Sequence, residues 1–432
     1  MDNVVNVGLL GAGTVGGGVI LVLEKNAADI EKKVGMPVRI TKILERNPQL
    51  AVELGQKYQI TDKIEDILED PDIDIVVELI GREHPAKEFI AEALRHGKNV
   101  VTANKDVLAK HGKELFELAS QNQVDFMFEA SVGGGIPIIR PLKSCLAANK
   151  ITSVMGIVNG TTNYMLTKMS AEHLDFADVL KEAQDKGYAE SDPTADIGGL
   201  DAARKIAILA SIAFNTRVVL EDVHVEGIEN LTLRDIDYAN ELGYVVKLLA
   251  IAKRDEKDGI SVRVHPTMLP SDHPLAKVND VYNAVYVTGD AVGDTMFFGR
   301  GAGRMPTASA VCGDIVDVAR NIRHGSTGRI SCTCYDEKHL CTIENITSPC
   351  YIRLHVHDKP GVLAGIAAAF GAQNVSLKNV VQKAKVNGFS ELVVITYDVS
   401  EFNLRMAIQT LRALPIVEKI CSVIRVEDDN LD

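Results

Sequence analysis

The opening of the chain limits its fold more than any other stretch. An apolar run over residues 4–10 breaks into Gly11-Ala12-Gly13-Thr14-Val15-Gly16-Gly17-Gly18, and helical apolar spacing resumes at Val19, Ile20 and Leu23. A G-x-G-x-x-G pattern is weak alone. Directly after a strand and opening a helix it becomes specific, because the glycines permit a tight turn and let the backbone approach a pyrophosphate at a helix N-terminus. Gly11, Gly13, Thr14, Val15 and Gly16 are therefore candidate cofactor contacts. Apolar strand patterns recur at 38–44, 73–80, 99–102 and 125–128, alternating with helical patterns over 85–96 and from 105 to about 122. Pro85 suits a first helical turn and Gly97 a C-terminal cap. Such alternation implies a parallel, doubly wound sheet: an α/β chain with a Rossmann domain over 1–136.

Glu45 and Arg46 follow the second strand, where the adenosine ribose of a dinucleotide is read. A carboxylate there suits the ribose hydroxyls of NAD, and an arginine suits the 2′-phosphate of NADP. The pair favours NADP and leaves NAD use open. Ligands of these sheets bind beyond the carboxyl ends of the strands. Lys105, after the fourth strand pattern, and the segment Glu129 to Pro137, after the fifth, consequently face the nicotinamide end. The glycines of that segment either expose carbonyls as a cage for a hard cation or let the turn pass close to the cofactor.

From residue 151 the pattern changes to short strands (151–158, 262–269, 284–287) mixed with helices (203–214, 238–249), an α+β domain spanning 137–323. Its last helix, near 304–323, follows Gly299-Arg300-Gly301-Ala302-Gly303 and returns to the first domain. Residues 324–349 read as a linker. The remainder, 350–428, shows a strand–helix–strand–strand–helix–strand order, a ferredoxin-like split unit without a plausible catalytic group.

The segment Gly187 to Lys205 carries the chemistry. Glu190, Asp192 and Asp196 lie in a loop of Gly, Pro and Ser, and the next helix opens with Asp201 and Lys205, which four-residue spacing places on one face. This can be a surface loop with an ordinary intrahelical ion pair, or a set of acceptors holding a small cationic substrate beside a proton-transfer group.

A formal charge of −13, from 46 basic and 59 acidic residues, argues against nucleic acid or an anionic membrane as partner. No apolar run approaches a membrane span, and the N-terminus enters a strand without a basic, apolar leader, which reads as cytoplasmic. The seven cysteines are scattered, as expected of free thiols in a reducing compartment. Cys332, Cys334, Cys341 and Cys350 cluster around His339, but their spacing is not that of a zinc ribbon.

Taken together, Val100-Val-Thr-Ala-Asn104-Lys105, the Glu129-to-Pro137 segment, Gly156-Ile-Val-Asn-Gly-Thr-Thr-Asn163 and above all Gly187 to Lys205 resemble the monofunctional bacterial homoserine dehydrogenases. Asp358-x-Pro360-Gly361-Val-Leu363 resembles the opening of an ACT regulatory domain. The resemblance implies a Rossmann domain, a catalytic and dimerisation domain and a sensor tail, with interconversion of L-homoserine and L-aspartate 4-semialdehyde on a nicotinamide cofactor. It implies Lys205 as proton donor with Asp201 orienting it, and Glu190, Asp196, Lys105, Gly160 and Thr161 around the substrate. Thr102, Lys105 and Gly303 join the cofactor contacts. Glu129 with the carbonyls of Val132, Gly134 and Ile136 matches a sodium site. Glu45 departs from the apolar residue of many NADP-preferring members. For the tail, an amino-acid effector such as threonine is expected around Asp358, Gly361 and Asn374 at an interface between two such domains, in a homodimer or homotetramer. Simple dimerisation is the other role open to it. A sensor that binds cofactor without turnover, and an aspartate-semialdehyde dehydrogenase, compete with this reading. The first is disfavoured by the intact Glu190, Asp201 and Lys205. The second needs a nucleophilic cysteine, and Cys145 lies inside an apolar helical pattern.

Overall fold

The computed structural model describes residues 4–428 apart from 256, 331 and 387. The chain forms two compact units, one built from Met1–Val154, Ala207–Leu220 and Asn283–Glu337, the other from Met155–Ile206, Glu221–Tyr282 and Lys338–Asp432.

In the first unit, strands β1 (Val5–Leu10), β2 (Val38–Leu44), β3 (Gln59–Thr61), β4 (Ile75–Glu78), β5 (Asn99–Thr102) and β6 (Phe126–Met127) form a sheet of order β3-β2-β1-β4-β5-β6. All five pairings are parallel. The order reverses between β1 and β4, which opens the crevice where such sheets bind ligands. Strand β3 lies outside the sequence expectation. It has only three residues, none buried, so it carries no apolar run, and pairing with β2 is what makes it a strand. Val7, Leu9, Ile75, Val77 and Val101 are fully buried under the helices Thr14–Lys25 and Arg304–His324. Burying each such side chain stabilises the fold by about 1.5–3 kcal/mol. A Cβ at Gly18 would stand 2.8 Å from the Arg304 carbonyl oxygen and 2.9 Å from Ala308 Cβ, so these two helices cross in direct backbone contact.

The second unit corrects one expected element. The helix expected over 238–249 ends early: it runs Leu233–Glu241, and Tyr244–Arg254 is a strand. Gly243, at φ 83°, takes the left-handed conformation that stops a helix. Beyond it residues 246–252 are buried without a break, as in a strand covered on both faces, where a surface helix would bury every third or fourth. This strand pairs antiparallel with Ile260–Pro270 along its whole length. Lys247 is buried there at 1 % exposure, its ammonium donating to the Val278 carbonyl (2.6 Å) and Asn163 Oδ1 (3.1 Å).

The C-terminal segment has the expected order: strand Cys350–Val356, helix Val362–Gly371, strands Leu377–Val386 and Phe389–Thr396, helix Glu401–Ala413, strand Val417–Val426. Its last strand pairs antiparallel with Cys350–Val356 on one side and parallel with Ile260–Pro270 on the other. Two ionic clusters seal this junction. Arg353 donates to both oxygens of Asp235 (2.7 and 3.0 Å) and to Glu391 Oε1 (3.0 Å), both carboxylates being fully buried. Arg263 and Lys253 each donate to Glu427 at 2.5 Å.

Burial opposes ionisation of Glu427, but Lys253 and Arg263 outweigh it and hold the carboxyl at about 2, below its ordinary 4.5. A depressed carboxyl stabilises the fold fully above its unfolded value and loses that contribution as pH falls through the folded one. Glu427→Gln is therefore expected to lower Tm at neutral pH, with the gap to the parent chain narrowing below about pH 4.5 and closing near about 2. Thermal melts across that range check this; a gap independent of pH would dissociate Glu427 from the ion pairs.

Candidate active site

The nucleotide turn of the first unit is set by its glycines. Gly11 sits at φ 89°, and a Cβ at Gly16 would stand 2.1 Å from the Gly11 carbonyl oxygen, so neither position admits a side chain. A Cβ at Gly13 would meet nothing within 4 Å. That open space directly before the N-terminus of the helix Thr14–Lys25 is what a pyrophosphate needs, and the turn fits a dinucleotide. Glu45, at the end of β2, accepts from the Ala12 N–H (2.9 Å) and the Asn47 N–H (2.8 Å), which holds its carboxylate against the turn. Arg46 is exposed beside it.

At the carboxyl ends of β4 and β5 lies a residue the sequence reading missed. Glu78 is fully buried and accepts from the Ile80 N–H (2.8 Å), the Gly81 N–H (3.1 Å) and the Thr102 hydroxyl (2.7 Å). Burial raises its carboxyl, with the Thr102 hydroxyl opposing. Thr102 in turn accepts from the Asn104 N–H, and the Asn104 side chain caps the helix Lys105–Gln121 through the Val107 N–H. Glu78 thus fixes the turn that presents Lys105. An acid inside an apolar run at a strand's end was the available signal.

Glu129 anchors the segment that follows it. Its carboxylate accepts three backbone N–H groups, of Ile138 (2.6 Å), Ile139 (2.8 Å) and Arg140 (2.8 Å). Its own N–H donates to Asp314, which also holds Arg140 at 2.6 Å. The side chain is therefore a helix-start cap. Gly133 and Gly134 take positive φ (72° and 52°), and a Cβ at Gly134 would stand 2.3 Å from the Gly301 carbonyl oxygen, so this turn is glycine-bound by close packing. Gly303, at φ 120°, precedes the helix Arg304–His324.

In the second unit, the segment from Asn159 to Lys205 closes into one polar cluster. Asn159 caps the helix Gly160–Glu172, its Oδ1 accepting from the Thr162 N–H (2.9 Å). That leaves its amide N–H groups to bridge Asp196 Oδ1 (2.7 Å) and Asp201 Oδ2 (2.9 Å). Lys205 donates to the same Asp201 oxygen (2.6 Å) and to the Val158 carbonyl (2.7 Å). The Lys205 and Asp201 side chains are 13 % and 12 % exposed, which sets them apart from an ordinary surface pair. Thr161 donates to the Tyr188 carbonyl (2.6 Å) and ties the same helix, which Gly160 opens, to the acidic loop. Burial raises the Asp196 carboxyl, the Asn159 amide opposes, and the charge of Glu190 is close enough to add to the rise. Asp192 is used locally, accepting from the Thr194 N–H and hydroxyl. The bridging role of Asn159 was not read from the sequence; an Asn just before a helix signals a cap, and its second pair of contacts exists only in three dimensions.

The tail residues do not meet within one chain. Asp358 pairs with Lys385 (2.7 Å), and Gly361, at φ 86°, begins the helix Val362–Gly371. Asn374, at φ 56°, lies past the other end. Ten helical residues put about 15 Å between those ends. All seven cysteines are free thiols. Among the described residues no helix is long and apolar enough to cross a membrane.

Residues 11–129 match the NAD-binding domain of homoserine dehydrogenase, residues 137–316 the homoserine dehydrogenase family and residues 351–416 the ACT domain. A homoserine dehydrogenase of Bacillus subtilis is 45 % identical over 427 residues, covering 98 % of both chains. The crystal structure of one from Thiobacillus denitrificans superposes with a TM-score of 0.94 at 43 % identity over 99 % of each chain. A hyperthermophilic archaeal homoserine dehydrogenase in complex with NADPH is 28 % identical, with a TM-score of 0.63, and covers 73 % of this chain.

Proposed function

The chain belongs to the homoserine dehydrogenase family, NAD(P)-dependent oxidoreductases that interconvert L-homoserine and L-aspartate 4-semialdehyde, and from this premise we propose how its residues do the work. A bound nicotinamide supplies or takes the hydride, so the protein must orient the substrate and move one proton. Reducing the aldehyde builds alkoxide character on its oxygen, and an ammonium stabilises and then protonates it. Lys205 is that ammonium. Asp201 and the Val158 carbonyl fix its direction, and Asn159 fixes Asp201. Glu190 and Asp196 take the substrate's amino group, with Gly160 and Thr161 shaping the pocket, and Lys105 serves both substrate and cofactor. The observation that carries this reading is the 2.6 Å contact of two nearly buried side chains, Lys205 and Asp201, with Asn159 joining the latter to Asp196. Following NADPH absorbance with L-aspartate 4-semialdehyde tests it; no consumption by the pure full-length chain would reject it.

The preferred cofactor is NADP, supported by Arg46 at the ribose position and by the NADPH bound in the archaeal relative. Charge-assisted hydrogen bonds contribute about 1.5–3 kcal/mol. Arg46→Ala should thus raise KM for NADPH about tenfold or more and leave NADH unchanged; equal effects on both would remove the arginine from phosphate recognition.

Sodium, held by the carbonyls of Val132, Gly134 and Ile136 beside Glu129, would brace the turn facing the nicotinamide. Replacing sodium by choline in the assay is expected to raise substrate KM, and an unchanged KM would discard the site. The ACT domain binds an amino acid, with threonine as the effector. Because Gly361 and Asn374 stand at opposite ends of one helix, the site draws on two copies, which makes the working form at least a dimer. Threonine should lower turnover in the same assay, and no effect on turnover or Tm would leave the domain a dimerisation module. The protein works in the cytoplasm.

A further inference from the structure

The linker places a cysteine pair where the reaction described above has no use for it. Cys332 and Cys334 line a cavity of about 50 Å³ in the first unit, together with Phe116, Phe128, Lys143 and Arg217. The Cys334 N–H donates to Cys332 Sγ at 3.4 Å, and the Tyr335 N–H donates to the Thr333 carbonyl at 3.1 Å, which folds the Cys-Thr-Cys stretch back on itself. The Cys334 S–H has its own acceptor in the Ser211 carbonyl at 3.7 Å. The Lys143 ammonium rests over the rings of Phe116 and Phe128, 4.9 and 5.4 Å from their centroids.

We propose that Cys332 and Cys334 are a hydroperoxide-responsive dithiol, with Cys332 the attacking sulfur and Cys334 the one that closes the disulfide.

Geometry divides the roles. The Cys334 side chain and backbone N–H lower the Cys332 thiol against the effect of burial, with Lys143 and Arg217 adding to it. Cys334 is pushed the other way, first by its bond to Cys332 and then by burial. Cys332 is thus held toward the thiolate, with Lys143 and Arg217 lining the same cavity, and Cys334 toward the thiol. That is the microenvironment of a reactive cysteine rather than of an inert buried one. A cavity of about 50 Å³ admits a two-oxygen oxidant.

The chemistry balances. The Cys332 thiolate attacks one peroxide oxygen, an S–O bond forms as the O–O bond breaks, and the departing oxygen leaves as hydroxide, or as alkoxide from an organic peroxide, and takes a proton from water. Cys334 then releases its proton to solvent, and its sulfur displaces the oxygen from Cys332 as a second hydroxide. The sulfur pair loses two electrons and the peroxide gains two. A disulfide across one intervening residue closes a small, strained ring, and strained disulfides have more oxidising potentials, so cellular thiols reverse it.

The test treats the full chain with equimolar hydrogen peroxide, alkylates the remaining thiols and maps them by mass spectrometry. The expected peptide holding Cys332 and Cys334 is unalkylated and two hydrogens lighter, formed at least tenfold faster than any oxidation of the exposed Cys145, and dithiothreitol restores it. In Cys334→Ser the reaction should stop at a Cys332 sulfenic acid trapped by dimedone, and Lys143→Met should slow it several-fold. Oxidation of Cys332 no faster than that of Cys145, or a wild-type product that is a mixed or intermolecular species, overturns the proposal.

Discussion

Lys205→Ala is expected to lower kcat by about two to four orders of magnitude, the range a positioned general acid supplies. Binding of the cofactor should be unchanged, because the nucleotide turn is built from residues 11–18 and the end of β2 and does not include the lysine. Lys205→Arg should recover little. It keeps the positive charge, but a guanidinium does not release its proton, and its fork does not match a site shaped by Asp201 and the Val158 carbonyl at 2.6 and 2.7 Å. Asp201→Asn is expected to fall between, since Asn159 and Val158 still hold part of the geometry. Initial rates at saturating cofactor, paired with fluorescence titration of NADPH, separate the two quantities. Turnover within a few-fold of the parent chain in Lys205→Ala would strip the lysine of its acid–base role.

The second large effect is on stability. Arg353→Met is expected to destabilise the second unit by about 3–5 kcal/mol, because one cation serves two carboxylates that are both fully buried. Asp235 is hit hardest. Glu391 keeps Arg234 at 3.4 Å and His355 at 3.1 Å, whereas among the described residues Asp235 keeps only its capping-box bonds with Thr232 and the hydroxyl of Tyr351 at 3.3 Å. The arginine stands on the first ACT strand and Asp235 in the helix Leu233–Glu241, so the loss uncouples the ACT domain from the segment it packs on. The proposed response to threonine should vanish together with the drop in Tm. Denaturant and thermal melts of the parent chain, Arg353→Met, Glu391→Gln and the double variant measure this, the double variant losing less than the sum of the two singles. A Tm within about one degree of the parent would mean the cluster is solvated in solution.

What the sequence showed follows from how local each feature is. Strands β2 and β5 begin and end on the residues expected, since each is an apolar run bounded by turn residues and needs no distant partner to be recognised. The short strand β3 was invisible because hydrogen bonds to β2 create it. The segment from 233 to 254 was misread because a run buried on every face shows no period, and only the left-handed Gly243 marks where helix gives way to strand. The Asp201–Lys205 pair was legible from its spacing. Its near burial, and the Asn159 clamp that joins it to Asp196, arise from segments some forty residues apart in sequence and could not be read from either alone.

The sharpest test of the lysine chemistry installs the ammonium by hand. Lys205→Cys is made, its turnover with NADPH and L-aspartate 4-semialdehyde is measured, and the protein is then treated with 2-bromoethylamine beside an identically treated parent chain. Restoring an amine at this one position should raise kcat by at least about a hundredfold over the untreated variant, as expected if proton donation is what was lost. A Lys205→Cys enzyme that turns over like the parent before treatment, or that stays dead after full aminoethylation with its fold and cofactor binding intact, would contradict it.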